Sequence, residues 1–145
     1  MSFTAPPPVN ILITLDSIAA LSLGTLEDMI FLTDDAWCSQ DKGTSRPITA
    51  CVPGQTICWR ITAVDVQTPA LIAGITFLPE AASHDRTHGA GLHPEPVAMP
   101  EWRCWSLVVP CDTPPGRYPY RLAVQIGTGA HSALAVEGPA LDVIA

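Results

Sequence analysis

Thr56-Ile-Cys-Trp-Arg-Ile-Thr-Ala-Val-Asp-Val66 decides the architecture of this chain. On an extended backbone Ile57, Trp59, Ile61 and Ala63 fall on one side, and Cys58, Arg60, Thr62 and Val64 on the other. A two-residue period of this kind is a strand with one covered face; a helix would bring apolar residues back every three or four positions. Pro53-Gly54 lies just upstream. It has the type II turn pattern, with Pro at the second position and Gly at the third, where positive φ carries no Cβ penalty. Ile48–Val52 precedes that turn, so residues 48–66 read as a β-hairpin.

Working outward, Val9-Asn-Ile-Leu-Ile-Thr-Leu-Asp16 and Met29-Ile-Phe-Leu-Thr33 are short branched runs that read as strands. Between them Ile18, Leu21, Leu26 and Ile30 could share a helical face, which Gly24 interrupts. Downstream, Ala70–Leu78, Trp102–Val109, Arg117–Ile126, Ser132–Val136 and Leu141–Ile144 are the remaining strand candidates. The total is about eight strands separated by turn signals, with no helix longer than about ten residues. This pattern predicts an all-β fold, an antiparallel β-sandwich of the immunoglobulin-like or cupredoxin-like kind. Alternating strands and long helices are missing from the pattern, which argues against a parallel doubly wound sheet.

The chain has 145 residues, enough for one domain. Residues 1–8, rich in proline, read as a disordered leader, and residues 9–145 as a single sandwich domain. Residues 79–100 have no periodic pattern and read as a long irregular loop within that domain. Apolar residues make up 48% and charged residues 14%, which excludes disorder for the whole. With seven Lys and Arg and a net charge of -7, the chain has too little clustered positive charge for a nucleic-acid or anionic-membrane partner. No apolar run approaches the ~18 residues of a membrane span. No basic, apolar signal segment opens the chain, so the expected location is cytoplasmic. The five cysteines then read as soft core fillers, not as disulfides or a zinc site, because no Cys-x2-Cys pair occurs.

Three segments carry a family resemblance. Val9-Asn-Ile-Leu-Ile-Thr-Leu-Asp-Ser17 opens the domain, Pro53-Gly-Gln-Thr-Ile-Cys-Trp-Arg-Ile-Thr62 sits in its middle, and Gly116-Arg-Tyr-Pro-Tyr-Arg-Leu-Ala-Val-Gln-Ile126 precedes the closing Pro139-Ala-Leu-Asp-Val143. Together they resemble the AidA/PixA family of bacterial inclusion-body proteins. The chain has Gly138-Pro139 where that family has Asp-Pro. The resemblance implies a cytoplasmic β-sandwich that assembles, with no established reaction.

Two constellations could carry chemistry. His84, His88 and His93 lie in the irregular loop with Glu80, Asp85 and Glu95 nearby. Imidazoles and carboxylates are metal ligands, so these residues form a candidate metal site, against the plainer reading of solvated loop histidines. Gly89 and Gly91 oppose a continuous helix through the three, so an ion would have to order the loop itself. Trp37, Trp102 and Arg103 form a candidate ligand-binding set, because exposed Trp can stack on a sugar or anchor an interface. The cysteine and histidine order does not suit a cupredoxin copper site. Ser83-His84-Asp85 is no triad, since adjacent side chains point apart. No catalytic motif appears, and no cofactor beyond the metal ion is implied. A 14% charge content is thin for a monomer's surface, so a homo-oligomer is expected. Three functions therefore compete: a non-enzymatic self-associating sandwich, a small-molecule or carbohydrate binder, and a metal-dependent enzyme.

Overall fold

A computed structural model describes residues 6–36, 38–65, 67–78, 92–97, 104–127 and 133–144. The strands are β1 (Val9–Leu15), β2 (Ile30–Asp34), β3 (Ile48–Cys51), β4 (Thr56–Ala63), β5 (Ala70–Phe77), β6 (Glu95–Pro96), β7 (Cys104–Val108), β8 (Gly116–Ile126) and β9 (Ala133–Val143). One helix, α1 (Ser17–Leu23), follows β1. The strands form a five-stranded sheet in the order β2-β1-β4-β7-β6 and a four-stranded sheet in the order β3-β9-β8-β5. The fold is all-β and sandwich-like, as the alternating segments predict.

Strand direction departs from the prediction. β1 runs parallel to β4, and β3 runs parallel to β9, so both sheets are mixed. Alternation reports which face is covered and is blind to the direction of the neighbouring strand. Residues 48–66 are also not a hairpin. β3 pairs with β9 in the smaller sheet, while β4 lies between β1 and β7 in the larger one. Pro53-Gly54 makes the expected turn, with Gly54 at φ 84°, but the turn carries the chain from one sheet to the other.

The core lies between the sheets. β1 buries Val9, Ile11, Ile13 and Leu15, and β4 buries Ile57, Trp59 and Ile61. β8 supplies Tyr118, Tyr120, Leu122, Val124 and Ile126. Trp59 and Tyr120 are both fully enclosed and meet edge to face, 5.7 Å between ring centroids at 80°. The Trp59 indole N–H donates to the Tyr120 hydroxyl at 3.2 Å, so the polar tips of both rings are satisfied across the core. The Tyr118 hydroxyl donates to the Pro114 carbonyl at 2.6 Å and fixes the turn before β8. Pro119, which has no N–H to give a ladder, sits where the β8–β9 register shifts.

Residues 17–30 settle as one short helix and a turn. Asp16 caps α1 by accepting from the Ala19 N–H at 3.2 Å. Gly24 ends it in the left-handed region, φ 69°, and its N–H donates to the Ala20 carbonyl. The two closing segments expected at 132–136 and 141–144 are a single strand, β9, with Gly138 at φ 116°. At the start of the chain, the Pro7 carbonyl accepts from the Gln55 side chain at 2.7 Å. Residues 1–5 of the expected leader lie outside the described residues.

Candidate functional site

Two features of the described surface could serve a function: a cleft at one end of the sandwich and an apolar patch at the other. The cleft has a volume of about 310 Å³. It is lined by Pro7 and Pro8 ahead of β1, Asp35 and Cys38 after β2, Cys51 at the end of β3, and Ile144 after β9. Period-2 geometry explains how β2 delivers its end. Ile30 and Leu32 point inward, so Asp34 does too, and Asp35 turns outward.

Asp34 has a fully enclosed carboxylate. Its Oδ1 accepts from the Ala36 N–H and from the Ser39 hydroxyl, each at 2.9 Å, with Lys42 Nζ 3.6 Å away. Its Oδ2 faces the Thr49 hydroxyl on β3 at 3.2 Å. Ser39 in turn accepts from the Ala50 N–H, and Lys42 donates to the Ala36 carbonyl. This knot ties the edge strand of one sheet to the edge strand of the other. A buried carboxylate demands such partners, since its desolvation is otherwise uncompensated.

Asp35 grips β1: the backbone N–H and the side-chain amide of Asn10 both donate to it at 2.8 Å. Partial burial alone would raise its pKa. The Asn10 hydrogen bonds and the Lys42 charge outweigh that and hold the carboxyl below its ordinary value. Cys51 is buried, and desolvation, with Asp142 adding to it, pushes its thiol up to about 12. The cleft therefore offers an ionised, already occupied carboxylate and an un-ionised thiol. Neither is an activated nucleophile. Among the described residues no group of three or more His, Cys, Asp and Glu side chains could hold a metal ion.

The apolar patch lies where β1 and β4 end and β2 begins. α1 buries only Ser17 and Ala20, carries no charged residue, and exposes Ile18, Leu21 and Leu23. Phe31, opposite Thr14 on β1, and Leu12 are exposed on the outer face of the larger sheet. Val64 is 69% exposed, and its N–H donates to the Leu15 carbonyl, which places it beside the start of α1.

Most of the residues singled out from sequence lie outside the described ones: Trp37, Trp102, Arg103, His84 and His88, together with Glu80 and Asp85. His93 is described. It is exposed and borders a shallow depression of about 240 Å³ with Ile75, Phe77 and Leu92. Glu95 is exposed in β6. The cysteines are mostly not core fillers: Cys38 and Cys111 are exposed, Cys58 and Cys104 half-buried, and only Cys51 buried. Neither carboxylate role was singled out from the sequence, where Asp34-Asp35 simply follow the strand candidate Met29–Thr33. The inward parity of Asp34 after Ile30 and Leu32 was the available signal.

Among the described residues no helix is long and apolar enough to cross a membrane. A family model described as a domain of unknown function, DUF8788, matches residues 7–132. No curated protein matches the chain in sequence. In structure the chain is similar to the crystal structure of an inclusion body protein, PixA, from Burkholderia cenocepacia. The TM-score is 0.70 at 10% identity, with 97% of each chain covered. At that identity the likeness is one of fold, and it agrees with the fold expected from the AidA/PixA resemblance.

Proposed function

The chain belongs to the DUF8788 family, and from that premise we propose that it is a non-enzymatic, cytoplasmic β-sandwich protein that associates with copies of itself. The observation that carries this reading is the number of exposed apolar side chains near the end where β1 and β4 finish and β2 begins: Ile18, Leu21 and Leu23 on α1, Phe31 on β2 and Val64 just after β4. A seven-residue helix without a single charge gains little from facing water and much from being covered. A second copy fits as the cover because the same patch can meet itself about a two-fold axis. The low charge content and the fold shared with an inclusion body protein support it further.

Light scattering coupled to size exclusion tests the proposal. The expected mass is a multiple of the 15.4 kDa chain. The double variant Leu21→Asp/Phe31→Asp is expected to run as a monomer with an unchanged melting temperature, because neither side chain belongs to the core. A wild-type chain that stays monomeric at its highest soluble concentration overturns the reading.

The cleft favours a second reading, a small-molecule or carbohydrate binder. Its volume reaches the lower end of ligand pockets, about 300–1,000 Å³. Ala36 and Cys38, the sequence neighbours of Trp37, line it. Tryptophan fluorescence during a glycan and metabolite screen tests this, and an unmoved spectrum throughout removes it.

A further inference from the structure

The outer face of the larger sheet carries two cysteines at neighbouring positions. In the β4–β7 ladder Cys58 lies opposite Ser106 and Cys104 lies opposite Arg60. All four side chains therefore leave the same face, and the two thiols stand diagonally across adjacent strands. Both are half-buried and unpaired. Diagonal neighbours have Cα atoms about 7–8 Å apart, with Cβ atoms somewhat closer, whereas a disulfide draws the Cβ atoms to about 3.5–4.5 Å. The ladder thus holds these thiols too far apart to bond each other without a shift of backbone.

We propose that Cys58 and Cys104 form a two-thiolate site for a soft monovalent metal ion, copper(I). Two metal–sulfur bonds of about 2.2–2.3 Å in line place the sulfurs roughly 4.5 Å apart, a span that diagonal positions can meet and directly bonded sulfurs cannot. Ligand count selects the ion. Zinc asks for four protein ligands, or three and a water, and no third His, Cys, Asp or Glu joins this pair among the described residues. Copper(I) is satisfied by two thiolates, and soft sulfur ligands prefer it. Charge also fits. Binding displaces one proton from each thiol and leaves a bis-thiolate copper unit with one negative charge. Arg60, directly across from Cys104, supplies a cation on the same face, while the carboxylates facing the pair are Glu95, opposite Ser106 on β6, and Asp35, which holds Asn10 beside Cys58. The ladder fixes both ligands before the ion arrives. Asn10, opposite Cys58 on β1 and held by Asp35, fixes the third strand of this region.

Anaerobic titration with copper(I), in competition with a chromophoric copper(I) chelator, tests the site. A Cys38→Ser/Cys111→Ser background removes the exposed thiols while the rest of the chain stays native. The expected result is one equivalent withheld from the chelator, with an ultraviolet thiolate-to-copper absorption, and uptake that strengthens as pH rises because two protons leave. Adding either Cys58→Ser or Cys104→Ser is expected to abolish that equivalent. No uptake in the background, or uptake retained in either added variant, overturns the proposal. Cys104 opens its strand, so its serine variant keeps the test decisive should the Cys58 variant lose its fold.

Discussion

Asp34 shows how much one residue can hold. Its carboxylate is enclosed at the junction of the two sheets and satisfied by Ala36, Ser39, Thr49 and Lys42. Asp34→Ala leaves two hydroxyls and a lysine without their acceptor, and such losses cost about 3 kcal/mol. The expected readout is a lower urea midpoint with an unchanged slope; an unmoved midpoint would show that the knot does not hold the sheets together. The residue was half legible in sequence. Parity from Ile30 and Leu32 pointed it inward, but Thr49 and Ser39 become its partners only through the fold. Trp59 was more legible, because alternation on both flanks placed it on the covered side. Its partner Tyr120 lies within the strand candidate Arg117–Ile126, yet the hydrogen bond between them follows from tertiary packing alone.

At the scale of elements, β4 and β8 were readable because their periods are unbroken. β9 was not, because Gly138-Pro139 punctuates it as a turn would. The structure explains the glycine. Gly138 has φ 116°, and a Cβ there would stand 2.8 Å from the Arg46 Cδ. Arg46 crosses this point to donate from Nε to the Glu137 carbonyl at 3.0 Å and to pair with Glu27. Gly138→Ala should therefore cost about 2 kcal/mol, chiefly from the backbone, which no L side chain adopts easily. A thermal melt of Gly138→Ala with and without Arg46→Ala separates the two causes. The backbone share persists in the double variant, and full recovery there would assign the cost to the arginine instead. The supposed hairpin at 48–66 failed for a general reason. A Pro-Gly turn specifies a change of direction and does not say in which sheet the chain continues.

The whole molecule has one core between its sheets, and two titratable groups sit in it un-ionised. Burial pushes Cys51 from its ordinary 9.0 up to about 12, and burial also raises Tyr120. Below pH 9 the thiol is protonated in both folded and unfolded chains and adds no pH dependence. Above it the unfolded chain releases the proton and the folded one keeps it, so stability falls as pH rises towards 12. Tyr120 joins the fall once the unfolded phenol ionises near its ordinary 10.0. Each group contributes a slope of up to about 1.4 kcal/mol per pH unit. Urea midpoints should hold steady up to pH 9 and drop as pH rises from there towards 12, and less so in Cys51→Ala; a flat profile would mean these groups reach solvent. Fold class was legible at this scale because it rests on faces and turns. The parallel pairings were not, because they join segments far apart along the chain. They also impose an order on synthesis. β3 ends at Cys51, and the strand it pairs with among the described residues, β9, begins at Ala133. On the ribosome β3 must therefore wait with an open backbone edge while β4 through β8 emerge, and a chain stalled before β9 would expose that edge to whatever sticky strand passes.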